Sequence, residues 1–258
     1  MKKLFKILVP FDFSDTANNA LNYVKNFVAD DLNTEIILVY VNEIDDEQAE
    51  KKLEAIREEF QAHSRNNVRA IVKKGLLQAS LIEVTKAEKI DLIFMGTSLV
   101  NNKKLNTNTS SFVLVVDCPI IVIPKDYENF KIKKIALVIG EDLIHDSKLL
   151  GVLLQVARRF KAKVHVLTVK QEEADYGYTI VDEKNENTIM YYLEDFYSHH
   201  LFVDGPDIPT SIFKYAEEKD IDLISILPRN HAKGKVSSEG ALTKALSEVS
   251  KTPLLVID

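Results

Sequence analysis

Glycine is scarce in this chain, with 8 glycines in 258 residues, about half of the usual share of roughly 7%. Loops that surround phosphate groups need glycine, because backbone N–H groups must approach the anion without a Cβ in the way. The sequence therefore has little material for such loops. The chain also has only 1 cysteine, which excludes an internal disulfide framework and fits a reducing compartment.

Long apolar runs and an excess of positive charge are missing as well. No apolar stretch approaches the roughly 18 residues of a membrane span. The first lysines and their short apolar run resemble a signal peptide, but Asp12 and Asp15 interrupt the run and no small-residue cleavage site follows. A net charge of −6 offers no basic surface to nucleic acid or to an anionic membrane. We therefore expect a soluble cytoplasmic protein that binds neither.

Apolar runs and amphipathic stretches alternate along the first half of the chain. The runs that predict buried parallel strands are residues 6–11, 35–41, 68–73, 91–95 and 118–123. Ser14 stands at the start of the first amphipathic stretch and predicts a helix N-cap there. This alternation predicts a parallel sheet with right-handed crossovers and helices on both faces.

The second half of the chain repeats this plan. "KIDLIFM" at 89–95 corresponds to "DIDLISI" at 220–226, and "FKILVPFD" at 5–12 corresponds to "KKIALVIG" at 133–140. We therefore predict two tandem α/β domains, each with a five-stranded doubly wound parallel sheet. Their predicted extents are residues 1–126 and 131–258.

One section of the second half resists this assignment. Residues 171–200 are acidic and rich in tyrosine. Within them, "TIMYYLEDFY" at 188–197 predicts a helix, and the residues before it predict an exposed loop.

Three stretches of the chain resemble the universal stress protein family in its tandem, two-domain form. They are "ILVPFDFSDTANNAL" at 7–21, "DLIFMG" at 91–96 and "DCPIIVIP" at 117–124. Their order, and its repetition in the second half, make the resemblance specific over essentially the whole chain. The resemblance implies a Rossmann-like fold of the adenine nucleotide alpha hydrolase-like type, with strand order 3-2-1-4-5, in each domain.

The nucleotide-binding members of that family carry a loop with spaced glycines after the fourth strand, and the loop ends in Ser or Thr. Counting from Gly96, Leu99 replaces the second glycine and Thr109–Ser110 takes the last pair. An alignment anchored on the closing strand instead places Asn106 at the third glycine and Thr107 at the hydroxyl. We favour the second alignment, in which the loop is shorter than the family pattern. Both alignments lack the second glycine, so we expect a damaged phosphate half of the pocket.

The base half of the pocket is better preserved. The resemblance places Asp12 where the family aspartate faces the adenine amino group and the ribose, and Val41 where the backbone contacts the base edge. Capping of the following helix is an alternative role for Asp12. The candidate nucleotide-binding residues of the first domain are Pro10, Asp12, Val41, Met95, Gly96, Asn106 and Thr107.

The second domain departs further from the family pattern. Gly140 takes the position of the aspartate, and Leu227 takes the position of the first glycine. Gly240 keeps the third glycine, but Ala241 lacks the hydroxyl that should follow it. We therefore expect no nucleotide in the second domain.

These observations predict a binding or regulatory module of the stress response that is not an enzyme. No cofactor is certain, and the first domain is expected to hold AMP or ATP weakly. The alternative is an apo protein-interaction or dimerisation module with no nucleotide in either domain. A slow ATP hydrolase ranks last, because no residue offers to position an attacking water. The expected partner is an unknown protein, and the family's pairing of domains through sheet edges implies pairing within the chain and leaves a homodimer open.

Four other patterns resemble catalytic, metal-binding or phosphate-binding motifs, but we expect none of them to form such a site. His199 and His200 could ligate a metal with Asp204, but adjacent histidines on a helix or strand point apart, so we expect a surface pair and no metal site. "HDS" at 145–147 contains the residue types of a hydrolase triad, although a triad is a spatial arrangement and a helix cap is expected. "GKVSS" at 234–238 lacks the earlier glycine of a P-loop. Cys118 is expected to be an inert core thiol.

Overall fold

The computed structural model of the chain describes residues 4–29, 32–44, 46–98, 107–144, 147–170, 178–203, 207–227 and 240–257. The predictions for Leu99, Asn106, the His145–Asp146 pair, Asp204 and the "GKVSS" stretch lie outside the described residues. The chain divides into two compact units, Met1–Phe130 and Lys131–Asp258.

Strands and helices alternate through unit 1. Its elements are β1 (Phe5–Pro10), α1 (Asp15–Val28), β2 (Thr34–Asn42), α2 (Glu47–Ala62), β3 (Asn67–Lys74), α3 (Leu77–Glu88), β4 (Leu92–Thr97), α4 (Asn108–Val113) and β5 (Ile120–Pro124). The strands pair in parallel in the order β3-β2-β1-β4-β5. This arrangement confirms the predicted doubly wound sheet and its strand order.

Unit 2 has the same plan. Its elements are β6 (Lys134–Ile139), a short 3-10 helix at Ser147–Leu150, α5 (Gly151–Phe160), β7 (Lys163–Val169), α6 (Ile180–Leu193), β8 (Tyr197–Val203), α7 (Ile208–Glu218), β9 (Leu223–Ile226), α8 (Ala241–Val249) and β10 (Leu254–Val256). Its strands also pair in parallel, in the order β8-β7-β6-β9-β10. The predicted repeat of the fold is therefore present.

Helix α1 begins where the sequence predicts it and packs on the centre of the sheet. The Ser14 Oγ accepts a hydrogen bond from the Ala17 N–H at 3.2 Å, which is the contact of a helix N-cap. Tyr23 and Phe27 pack against Phe94 of β4, with ring centroids 6.1 Å and 4.9 Å away. These contacts hold the second half of α1 against the middle of β4.

The segment 171–200 differs from the sequence prediction. Helix α6 begins at Ile180, and Thr179 and Asp182 cap it reciprocally. The expectation of an exposed loop over 180–187 is therefore wrong. The helix ends at Leu193, and β8 begins at Tyr197, so the predicted helix over 188–197 is correct only in its first part.

No helix in the described part of the chain is both long enough and apolar enough to cross a membrane.

Candidate functional site

Strands β1 and β4 separate near their carboxyl ends, at the point where the strand order changes direction. Their ladder contains the pairs Ile7–Leu92 and Leu8–Ile93. Pro10, the last residue of β1, lies two residues beyond the last of these pairs and has no N–H to donate toward β4. The two strands are therefore free to part there, and doubly wound sheets bind ligands in this crevice.

The backbone of Val41 points toward the same edge of the sheet. The β1–β2 ladder ends at the Pro10–Val39 pair, and the Phe11 N–H then donates to the Val39 C=O at 2.9 Å. Because backbone groups alternate in direction along a strand, the N–H and C=O of Val41 point the same way as those of Val39. They therefore face the space beyond the end of β1, where the chain continues to Asp12.

The Asp12 side chain is exposed and is fixed by its own turn. Its Oδ1 accepts hydrogen bonds from the Ser14 N–H at 3.1 Å and from the Ser14 Oγ at 2.5 Å. Ser14, rather than Asp12, is the N-cap of α1. The carboxylate thus supports the turn with one oxygen, and its Oδ2 makes no hydrogen bond to a described residue.

Met95 and Gly96 lie at the end of β4, and Gly96 is needed there for packing. A Cβ on Gly96 would lie 2.3 Å from the Thr16 carbonyl oxygen and 2.7 Å from the Thr16 Cγ2. The Gly96 C=O accepts a hydrogen bond from the Thr109 Oγ1 at 2.8 Å. Met95 is buried. Gly96 therefore allows the first turn of α1 to approach β4, a role that is independent of any phosphate.

Thr107 starts the short helix α4, and its hydroxyl is already engaged. The Thr107 Oγ1 accepts from the Ser110 N–H at 2.9 Å, and the Thr107 N–H donates to the Ser110 Oγ at 3.1 Å. This capping box satisfies two backbone N–H groups at the start of the helix, those of Thr107 and Ser110. The Thr109 hydroxyl donates to the Gly96 C=O and the Ser110 hydroxyl donates to the Thr107 C=O, so both of these donors are used within the protein.

Phe13 is a residue of this site that the sequence did not indicate. Its backbone lies in the left-handed region, with φ of 65°. Its ring contacts Phe11 and Tyr40, at centroid distances of 5.5 Å and 5.2 Å. No local sequence signal marks this conformation, because glycine and asparagine are the residues that usually adopt it.

The corresponding edge of unit 2 is closed by α6. Asn185 accepts a hydrogen bond from the Ile144 N–H at 2.8 Å and donates to the Asp142 C=O at 2.9 Å. Lys170, at the end of β7, forms an ion pair with Asp182 at 2.6 Å, and both side chains are largely buried. These contacts tie the loop after β6 and the end of β7 to the helix.

The two adjacent histidines of β8 point to opposite faces of the sheet, as predicted. The His199 Nε2 lies 2.9 Å from the Tyr215 Oη, whereas the His200 Nε2 lies 2.6 Å from the Thr168 Oγ1. The prediction of a surface pair is wrong for His200, whose side chain is only 4% exposed. The reason is the packing of α6, which brings Glu186 to 3.4 Å from the His200 Nδ1.

A second histidine contact lies on the α7 side of the same strands. The His165 Nδ1 lies 2.8 Å from the Tyr215 Oη, so His165 and His199 share one phenol oxygen. Burial, together with the charges of His199, Lys134 and Lys219, lowers the pKa of His165 to about 4.

No group of three or more His, Cys, Asp or Glu side chains that could hold a metal occurs among the described residues. Cys118 is buried, and its thiol donates to the Ile90 C=O at 3.6 Å. This environment is typical of a core thiol.

The comparisons with known proteins agree with this fold. Residues 4–124 match the model of the universal stress protein family. A universal stress protein from Archaeoglobus fulgidus superposes with a TM-score of 0.76 at 17% identity, covering 100% of this chain and 99% of its own. A putative universal stress protein from Pseudomonas aeruginosa gives a TM-score of 0.71 at 16% identity, covering 98% and 93%.

A third solved structure has another role. The cytoplasmic domain of a prokaryotic cation chloride cotransporter superposes with a TM-score of 0.58 at 12% identity, covering 98% of this chain and 95% of its own. No curated protein sequence matches the chain significantly.

At these identities the structural likeness shows the fold alone, whereas the family model matches the sequence itself. The sequence of residues 4–124, which make up most of unit 1, matches the universal stress protein family, and unit 2 repeats the same doubly wound sheet.

Proposed function

We propose that unit 1 binds an adenine nucleotide weakly, mainly through the base and ribose, and that the chain acts as a binding or regulatory module rather than as an enzyme. The family match of residues 4–124 supports a module of the stress-response type. The observation that carries the nucleotide proposal is the direction of the Val41 N–H and C=O, which face the edge where the exposed Asp12 carboxylate lies.

This combination of groups suits an adenine edge. The base presents a ring nitrogen that accepts a hydrogen bond and an amino group that donates one. The Val41 N–H can donate to the ring nitrogen, and the Val41 C=O can accept from the amino group. The Asp12 Oδ2 can accept from the amino group or from a ribose hydroxyl. Pro10 and Met95 lie near the strand ends but are buried, so they contribute packing there rather than open surface.

The phosphate side of the crevice offers less to a ligand. Thr109 and Ser110 already donate their hydroxyl protons within the protein, whereas the Thr107 Oγ1 accepts from the Ser110 N–H. A phosphate would therefore have to compete with existing hydrogen bonds, each worth about 1 kcal/mol net. We expect an affinity that does not rise from AMP to ATP, with a dissociation constant on the order of millimolar, or about −4 kcal/mol.

Thermal unfolding with added nucleotide tests this proposal. A ligand that binds only the folded state adds about 1.4 kcal/mol at ten times its dissociation constant. We expect similar shifts with AMP, ADP and ATP in the presence of magnesium. In Asp12→Asn, which keeps an acceptor for Ser14 but loses the charge, the shift should shrink, and in Asp12→Ala it should vanish.

Glu141→Ala is the matched control, because Glu141 is an acidic residue in the corresponding loop of unit 2. This variant should keep the full shift. A much larger shift with ATP than with AMP would show a working phosphate half and contradict the proposal. No shift with any nucleotide would favour the alternative function.

That alternative is an apo protein-interaction or dimerisation module, and a specific observation favours it. The capping box of Thr107 and Ser110 satisfies two of the backbone N–H groups at the start of α4 without a ligand. Both proposed functions are compatible with pairing of the two units within the chain and with a homodimer, so pairing alone does not distinguish them. Light scattering during size exclusion separates a chain of 29.2 kDa from a dimer, and addition of AMP shows whether the assembly responds to nucleotide.

A further inference from the structure

Phe13 has an unusual backbone conformation for its position in the fold. Among the described non-glycine residues with positive φ, four follow the carboxyl end of a helix, where a left-handed residue is a common cap. They are Lys89, Lys161, Glu194 and Asp220. Phe13, with φ of 65°, instead lies between a strand and the start of a helix. A bulky side chain seldom adopts this conformation, so surrounding contacts must hold it.

Two sets of contacts hold Phe13 in this turn. Its ring packs edge-on against Phe11 at 5.5 Å and tilted against Tyr40 at 5.2 Å. In addition, the Asp12 Oδ1 accepts hydrogen bonds from both the N–H and the hydroxyl of Ser14. These bonds connect the residues on either side of Phe13 and close the turn. The ring and the carboxylate therefore stabilise the same conformation.

The contacts of the ring also connect the two groups of the proposed base site. Asp12 precedes Phe13 directly, and Tyr40 precedes Val41 directly. Phe13 thus packs on the strand that presents the Val41 backbone, while its own turn sets the direction of the Asp12 carboxylate.

The corresponding loop of unit 2 lacks this arrangement. Gly140 stands in the place of Asp12 and Glu141 in the place of Phe13, and neither of these described residues has a positive φ. Asn185 holds that loop instead, through Asp142 and Ile144. The left-handed turn is therefore found in the unit that has the carboxylate.

We propose that Phe13 is a positioning residue of the nucleotide site in unit 1. Its ring, held by Phe11 and Tyr40, keeps the left-handed turn that fixes the Asp12 carboxylate beside the Val41 backbone. This inference rests on the proposed function of unit 1, and it names a residue that acts through Asp12 rather than by contact with the base.

Three substitutions separate the ring from the backbone conformation. Phe13→Tyr keeps the ring and its contacts. Phe13→Gly loses the ring, but glycine adopts a left-handed conformation without steric cost. Phe13→Ala loses the ring and still disfavours the left-handed turn, so the turn should relax to other conformations and carry Asp12 with it.

The experiment measures the dissociation constant of AMP, by NMR titration of the full chain, together with the stability of each variant without ligand. We expect Phe13→Tyr to bind like the wild type and Phe13→Ala to bind about tenfold more weakly. Phe13→Gly should lie between them. A higher AMP affinity in Phe13→Gly than in Phe13→Ala follows from the left-handed turn. Lost ring packing alone would not produce this order of affinities.

Phe27→Leu is the control for a purely structural effect. Phe27 contacts Phe94 under α1, away from the turn, so its substitution should lower stability and leave the AMP affinity unchanged. If Phe13→Ala and Phe13→Gly bind AMP like the wild type, or if Phe27→Leu weakens binding equally, the role of Phe13 is overturned and the nucleotide site stands. If the wild type does not bind AMP, both proposals are overturned together.

Discussion

The clearest stability prediction concerns Gly96→Ala. The new methyl group would lie 2.3 Å from the Thr16 carbonyl oxygen, 2.8 Å from its carbonyl carbon and 2.7 Å from its Cγ2. Two of these three atoms belong to the backbone of the first turn of α1, so no side-chain rotation can relieve the contact. An ordinary contact begins near 3.4 Å, and the helix would have to retreat by about 1 Å.

The size of the effect follows from what the retreat disturbs. Overpacking in a close-packed interior costs about 1–3 kcal/mol, and the rigid backbone neighbour places Gly96→Ala near the upper end. The retreat would also strain the contacts of Tyr23 and Phe27 with Phe94. We expect a loss of about 3 kcal/mol in the free energy of unfolding, or a fall in Tm of roughly 10 °C.

Denaturant unfolding of the full chain, followed by circular dichroism, measures this loss. Gly151→Ala is the matched control, because its nearest neighbour would be the Tyr192 Oη at 3.6 Å. That substitution lies in the first turn of α5 and should be neutral or stabilise by up to about 1 kcal/mol. Adding Thr16→Ala to Gly96→Ala should restore little, since it removes the Cγ2 contact and keeps the closer carbonyl. A loss below about 0.5 kcal/mol in Gly96→Ala would refute the packing role assigned to this glycine.

Two further predictions concern buried ionisable groups of unit 2. Asp182→Asn should destabilise by about 3 kcal/mol, because it removes the carboxylate that is 2.6 Å from the largely buried Lys170 ammonium. A change within about 0.5 kcal/mol in denaturant unfolding would contradict this. Burial raises the pKa of Asp182, but hydrogen bonds from Lys170 and Thr179 hold it below its usual value, so this contribution is present at neutral pH and is lost as the pH falls through the lowered pKa. His165 behaves differently: its folded pKa of about 4 lies below the ordinary value of 6.5, so the unfolded chain takes up the proton first. The free energy of unfolding should therefore fall by on the order of 3 kcal/mol between pH 6.5 and pH 4. In His165→Gln, the free energy of unfolding should depend less steeply on pH. Equal slopes in the two proteins would show that His165 does not titrate in this way.

Much of the fold could be predicted from the sequence because its local signals agree with its packing. The apolar run at 35–41 became β2, and Ser14 became an N-cap. Helix α6 could be predicted only from residue 188 onward, because its polar and apolar pattern is partly inverted. Asp182 and Asn185 are 2% and 1% exposed, while Ile180 and Tyr191 are 72% and 86% exposed. The polar residues are buried because Lys170 and loop backbone groups bond to them, and these partners cannot be found from periodicity.

The candidate site shows a similar division. Gly96 was expected to matter because it ends a strand in a chain with few glycines, yet its contact with Thr16 depends on the tertiary fold. The left-handed turn at Phe13 also had no local signal, since the ring contacts that hold it come partly from Tyr40 on another strand. Asp12 and Val41 were selected from the family resemblance alone, and the structure adds the direction of the Val41 N–H and C=O.

The direction of the Val41 backbone has a consequence for how such a site changes over time. Every amino acid except proline carries both an N–H and a C=O, so a base contact made by the main chain survives almost any substitution at that position. A phosphate-binding loop is more sensitive to substitution, because its shape depends on particular residues, above all glycines. As a sequence of this kind changes, phosphate binding can therefore be lost first. Strand β2 still presents the N–H and C=O of residue 41 to a base.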